Sequence, residues 1–207
     1  MKAASEMPSA LGPCIAFFDF DGTVTTRDSF LDFIAFYHGK MTFYRGFVWL
    51  LPMLLAYKAK LIPNWRAKEK VLTYFFKGVP LAEFQQRCDQ YAEQRIPHIV
   101  RAKALQAIKN HQEQGHEVFL VSASPENWLK AWCQRKGIQL IATRLEVKGG
   151  KLTGKLAGNN CYGPEKAARI HQDILLKNYQ NVYSYGDSRG DKEMLALADF
   201  PYYRPFL

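Results

Sequence analysis

The seven residues Cys14 to Phe20 (CIAFFDF) constrain this chain most. The run is short, apolar in successive positions, and ends in Asp19, Asp21 and Gly22. Such a segment reads as a strand buried on both faces, as strands of parallel sheets are, carrying its acids to the carboxyl end. Similar apolar runs return late in the chain, at His116–Ser122 (HEVFLVS), Leu140–Ala142 and Asn181–Tyr185 (NVYSY). Helical patterns separate them, over Ala102–Gln114, Pro125–Lys136 and Pro164–Asn178, with a last one over Asp191–Ala198. Arg144–Leu156 reads as a hairpin around Gly149-Gly150. Strand and helix in alternation imply a parallel sheet covered on both faces.

Between Asp28 and Ala107 the pattern differs. Aromatic and aliphatic residues recur at three- and four-residue spacing, and Pro52, Pro63, Pro80 and Pro97 divide the stretch. This predicts four or five helices and no strand. The expected organisation is therefore an α/β fold: a three-layer Rossmann-like core from residues 14–27 and 108–207, an all-helical cap at 28–107, and a flexible lead-in at 1–13. A length of 207 residues suits one such unit. The lead-in has one lysine and no apolar run, so it reads as neither a secretory signal nor a transit peptide. The longest apolar stretch, Phe47–Ala56, is about half the roughly 20 residues of a spanning helix. Four cysteines without zinc-site spacing read as thiols in a reducing cytoplasm. A cytoplasmic location is expected, with peripheral contact at the inner membrane surface left open.

In a parallel sheet the functional crevice lies beyond the carboxyl ends of the strands. Asp19, Asp21, Ser122 and Asp187 are all predicted there. Residues i and i+2 of an extended chain point to the same side, so Asp19 and Asp21 can face one substrate, one as nucleophile and one as proton carrier. The alternative is a strand end with solvated acids and a turn glycine. Ser122 ends its strand, where a hydroxyl can hold a phosphoryl oxygen or merely begin a cap. Ser124, before Pro125, reads as the cap of the next helix. Lys166 lies in the first turn of a helix, an unfavourable place for a cation unless an anion shares it. Asp187 offers a hard oxygen to Mg²⁺. Asp191 lies near enough to serve the metal or the lysine, or to cap its own helix.

Four pieces in this order resemble the haloacid dehalogenase superfamily: D-F-D-G-T at Asp19, Ser122 at a strand end, Lys166 after Gly-Pro-Glu, and G-D-S-x-x-D from Gly186 to Asp191. The helical insert and the hairpin before Lys166 are similar to the phosphoserine-phosphatase-like branch. The apolar, basic insert is similar, more loosely, to a bacterial lipid phosphatase acting on phosphatidylglycerophosphate. The resemblance implies a phosphomonoester hydrolase in which Asp19 attacks phosphorus and Asp21 moves the proton. It implies Mg²⁺ held by Asp19, Asp187 and the main-chain carbonyl of Asp21, and charge neutralisation by Ser122 and Lys166. Asp21 argues against the related ion pumps, which carry threonine there, and against dehalogenases, which lack this acid and need no metal. Two positions depart from the phosphoserine enzymes. Asp28 stands where a substrate-binding glutamate is expected, and Gly190 replaces an asparagine.

Charge bears on the substrate. The chain carries a net charge of +9, which favours anionic partners. Lys40 to Lys77 holds eight Lys/Arg and one acid, Glu69, interleaved with Phe43, Tyr44, Phe47, Trp49, Tyr57 and Trp65. Basic and aromatic residues together mark segments that meet anionic lipid. The alternative is a cap burying its own core beside a phosphate site. The expected substrate is a small phosphorylated metabolite. A lipid phosphate at an anionic membrane, phosphotransfer to another hydroxyl, and a non-catalytic binding module stand as rivals. Nucleic acid is not expected, because no recognised module appears. The sequence gives no oligomeric state.

Overall fold

The computed structural model describes residues 12–207. The expected lead-in lies outside the described residues except at its last two positions. Five parallel strands form one sheet in the order β3-β2-β1-β6-β7: β1 Cys14–Phe18, β2 Glu117–Pro125, β3 Gln139–Thr143, β6 Asn181–Gly186 and β7 Phe200–Tyr203. The parallel α/β core read from the alternation is present. β1 is central and buried along its whole length. Its side chains divide by parity. Ala16 and Phe18 join the cluster that also holds Ile108 of α7 (Ala102–Glu113) and Trp128 of α8 (Glu126–Lys136). Ile15 and Phe17 join the opposite cluster, with Ile170 of α9 (Pro164–Asp173) and Met194 of α10 (Lys192–Leu195).

After β1 the chain makes one wide turn, Phe20–Val24, and then six helices: α1 Ser29–His38, α2 Lys40–Trp49, α3 Leu51–Lys58, α4 Asn64–Phe76, α5 Leu81–Gln94 and α6 Ile96–Ile99. This is more than the four or five expected. Pro52 and Pro97 do not simply separate helices; each sits in the first turn of a new one, α3 and α6. Proline lacks the donor that this position leaves unpaired anyway. The boundary expected between residues 107 and 108 falls inside α7. Phe33 of α1 stacks on Trp128 at 4.6 Å, so the helical insert and the sheet layer share one aromatic cluster.

The predicted hairpin is present as β4 Leu145–Lys148 and β5 Lys151–Leu156, turning at Gly149 and Gly150, both with positive φ. Gly154 in β5 lies directly against the Thr73 backbone of α4, where a Cβ would overlap Thr73 Cα. Other sequence expectations are corrected. The first strand stops at Phe18 rather than Phe20. The Pro164–Asn178 helix ends at Asp173, where Ile174 turns extended and buries its side chain. The Asp191–Ala198 helix shortens to Lys192–Leu195. β7 was not expected: Pro201 suits only an edge strand, and all four of its residues are exposed.

Candidate active site

The end of β1 places Asp19 at the carboxyl edge of the sheet, its N–H donated to the Tyr185 carbonyl of β6. Asp19 is buried. Gly22, at φ 90°, turns the chain away, and a Cβ there would overlap the Asp187 carboxylate. Glycine thus lets the loop after β6 close against the loop after β1.

Lys166 joins these loops. Its ammonium donates to Asp19 Oδ1 at 2.5 Å, to Asp191 Oδ1 at 2.7 Å and to the Val121 carbonyl at 2.8 Å. Burial opposes its charge, but the two carboxylates outweigh burial and hold its pKa above the usual lysine range. Asp191 keeps its charge too. Burial works against it, but Lys166, Ser188 N–H and Ser188 Oγ supply donors that pull its pKa below the usual range. The capping alternative for Asp191 is not realised: Asp191 precedes α10 without a side-chain cap, and its Oδ2 instead accepts the Ser188 N–H in a capping box that closes the turn Arg189–Asp191.

Asp19 is poorer in donors. Lys166 holds Oδ1, while Oδ2 is buried with no partner. Burial, only partly offset by Lys166, pushes its pKa up to about 7. Asp19, Asp187 and Asp191 each offer a carboxylate oxygen, and these oxygens lie within 4.8 Å of one another. Asp187 is also raised, by burial and by Asp191. Three carboxylates this close, one with a bare buried oxygen, form a donor set of hard oxygens that fits a small divalent cation. The Asp21 side chain is not in that group.

Asp21 faces the helical insert instead. Its Oδ1 accepts the Ser29 N–H at 2.7 Å, and its Oδ2 accepts the Ser124 hydroxyl at 2.6 Å. The Ser124 proton is thereby used, so the 3.0 Å contact between Ser29 Oγ and Ser124 Oγ takes its proton from Ser29. Trp128 Nε1 donates to Ser29 Oγ at 3.3 Å. Burial and then Asp28 raise the Asp21 pKa, against these hydrogen bonds. The expectation that Ser124 caps α8 is corrected. Pro125 holds that position without a side-chain cap, because the Ser124 hydroxyl is committed to Asp21.

Ser122 is fully buried, its Oγ accepting the Ser124 N–H at 3.0 Å. It braces the loop, while Ala123 and Ser124 line the adjoining cavity. That cavity, about 370 Å³, is also lined by Asp19, Asp21, Asp28, Lys166 and Asp191. Asp28 is exposed at its margin and caps α1 through the Leu31 N–H. Sequence reasoning did not single out Lys68 of α4. Its ammonium donates to the Ala123 carbonyl and to Asn160 Oδ1, and burial pulls its pKa down to about 8. It is one of eight cations in the basic stretch, and nothing in the sequence separates it from the solvated ones.

The model of the haloacid dehalogenase-like hydrolases matches residues 16–196. Protein CicA of Caulobacter vibrioides is 32% identical, over 100% of this chain and 93% of its own. A protein of unknown function from Bordetella pertussis has a similar structure, with a TM-score of 0.78, 22% identity, and 90% and 87% of the two chains covered. A substrate-bound phosphoserine phosphatase shares the fold at a TM-score of 0.58, with 21% identity and 92% and 84% coverage.

Proposed function

The chain belongs to the haloacid dehalogenase-like hydrolase family, and we propose that it is a Mg²⁺-dependent phosphomonoester hydrolase that works through an aspartyl phosphate on Asp19. The observation that carries the reading is the bare, buried Oδ2 of Asp19 beside Lys166 and Asp187. An uncompensated carboxylate oxygen is costly in such a place unless a cation or a reacting group meets it.

Asp19 would hold Mg²⁺ together with Asp187 and the Asp21 main-chain carbonyl. When bound, the ion supplies the positive charge that keeps Asp19 ionised and offsets repulsion between it and a phosphate dianion. Lys166 is fixed by Asp191 and Val121, and neutralises charge on the transferring group. Ser122 braces the loop whose Ala123 and Ser124 face the phosphoryl group, and its own hydroxyl proton can be donated toward that group. Asp28 sits at the margin, where it would meet the rest of the substrate.

An oxygen of Asp19 forms a bond to phosphorus as the ester P–O bond breaks. Asp21 gives its proton to the departing alkoxide. The raised Asp21 pKa suits it to carry that proton. Ionised Asp21 then takes a proton from water, which attacks phosphorus and releases inorganic phosphate and free Asp19. Positioning and charge stabilisation, rather than elaborate covalent chemistry, carry such a transfer. Phosphate release from p-nitrophenyl phosphate by the purified protein with Mg²⁺ tests the reading. No release above the buffer rate sinks it.

A further inference from the structure

The helices α2 and α3 are apolar on two opposite sides. Inward, Phe47 and Leu50 pack against the aromatic core, and Gly46 lets α2 approach Phe75 so closely that a Cβ would overlap its ring. Outward, Met41, Tyr44, Val48, Trp49, Leu51 and Leu55 are exposed, with Met41, Val48 and Trp49 at 74%, 72% and 76%. No residue of α3 is buried. A helix apolar around its circumference is normally covered, and an exposed apolar patch of this kind marks an interaction surface.

Charge says what covers it. From Lys40 to Leu61 there are four cations, Lys40, Arg45, Lys58 and Lys60, and no acid. All four are exposed. Arg45 shares a shallow groove with Tyr44, Val48, Trp49 and Pro52. Tryptophan and tyrosine beside exposed cations fit the headgroup layer of an anionic bilayer. Among the described residues no helix is long and apolar enough to cross a membrane, so the contact is with its surface.

The same two helices wall the cavity. Phe47 and Leu54, with Phe30 and Val71, line it together with the carboxylates. Two polar groups of the lining are partly engaged: Asn64 accepts from Asn160, and Lys68 uses two of its three protons on Ala123 and Asn160. The leaving group therefore meets mostly hydrocarbon.

We propose that α2 and α3 dock on an anionic lipid surface, and that the phosphomonoester cleaved beneath them is an amphiphile whose apolar body contacts Phe47 and Leu54. This rests on the phosphatase reading and names its substrate class. The test sediments the full chain with vesicles of phosphatidylcholine alone, or of phosphatidylcholine and phosphatidylglycerol in equal parts. The protein binds the anionic vesicles and not the neutral ones. The double variant Val48→Ser/Trp49→Ser, changed only at exposed positions, binds about tenfold less. It melts at the same temperature and turns over p-nitrophenyl phosphate as the parent does. Dioctanoyl phosphatidate is hydrolysed with kcat/KM at least about tenfold above glycerol 3-phosphate. Binding to neither vesicle, equal binding to both, or binding indifferent to the double variant overturns the docking face. So does a dimer in vesicle-free solution that the double variant dissolves, since a second copy would then cover the patch. Equal use of the two substrates overturns the substrate class. Vesicle binding is read without turnover, which keeps its failure separate from failure of the phosphatase chemistry.

Discussion

Ser124 donates its hydroxyl to Asp21 Oδ2 at 2.6 Å, joining two residues 103 positions apart. That bond fixes the acid's orientation relative to the cavity. Ser124→Ala lowers kcat about tenfold with little change in KM, a part of what a general acid contributes. Ser124→Thr restores most of the rate. A variant that loses rate and cannot be rescued by threonine would show a packing defect instead.

Asp19→Asn removes the proposed nucleophile while Lys166 keeps Asp191 and Val121 as partners. Turnover falls by at least about a thousandfold. The melting temperature holds or rises, because a buried charge with a raised pKa has been removed. Single-turnover phosphate release and a thermal melt check both halves. Retained activity would discard Asp19 as the attacking group.

Chelation with EDTA abolishes activity, and added Mg²⁺ restores it. The ion also raises the melting temperature, since it binds the folded arrangement of carboxylates and not the unfolded chain. Asp187→Ala abolishes that rise. A rise that persists in Asp187→Ala would remove Asp187 from the metal's ligands, and no rise in the parent would remove the metal.

His111 lies between the Nδ1 of His116 at 2.7 Å and the Tyr185 hydroxyl at 2.9 Å. Burial, and then His116, pull its pKa down to about 4. In the unfolded chain it titrates near its ordinary value of about 6.5. Between these values the unfolded chain binds a proton that the fold refuses, so the contribution is whole above about 6.5 and is lost as pH falls toward 4. Urea midpoints fall over that window. His111→Gln flattens the slope. Parallel slopes for the two proteins would assign the acid sensitivity elsewhere.

Gly154 has φ 81° and abuts the Thr73 backbone, whereas Gly158, at φ 84°, has open space around it. Gly154→Ala costs about 2–4 kcal/mol, from left-handed strain plus overlap with backbone that has little room to shift. Gly158→Ala costs about 1–2 kcal/mol, the strain alone. Equal urea stabilities for the two variants would mean that the hairpin moves freely on α4.

Much of the core was legible because a buried parallel strand leaves an unmistakable pattern. Cys14–Phe18 and Asn181–Tyr185 carry apolar runs that end in acids, and the structure pairs them as neighbours. Topology alone predicted Asp19, Asp21, Ser122 and Asp187 at the carboxyl edge; Lys166 and Asp191, which the structure sets beside Asp19, came from helix position and motif instead. Other features depend on partners distant in the chain. Ser124 before a proline looks like a helix cap; only its closeness to Asp21 and Ser29 takes its hydroxyl elsewhere. Lys68 looks like any solvated lysine until Asn160 and the Ala123 carbonyl meet it. Phe200–Tyr203 contains a proline and no buried residue, so nothing local announced an edge strand.

The stack of Phe33 on Trp128 constrains how the molecule can admit anything to its carboxylates. Helices tied to the sheet by a common aromatic interior have no jaw to swing without exposing that interior to water. Any opening is then expected at α2 and α3, which among the described residues bury only Gly46, and not in the floor. Unfolding should be a single event as well, with roof and floor melting together.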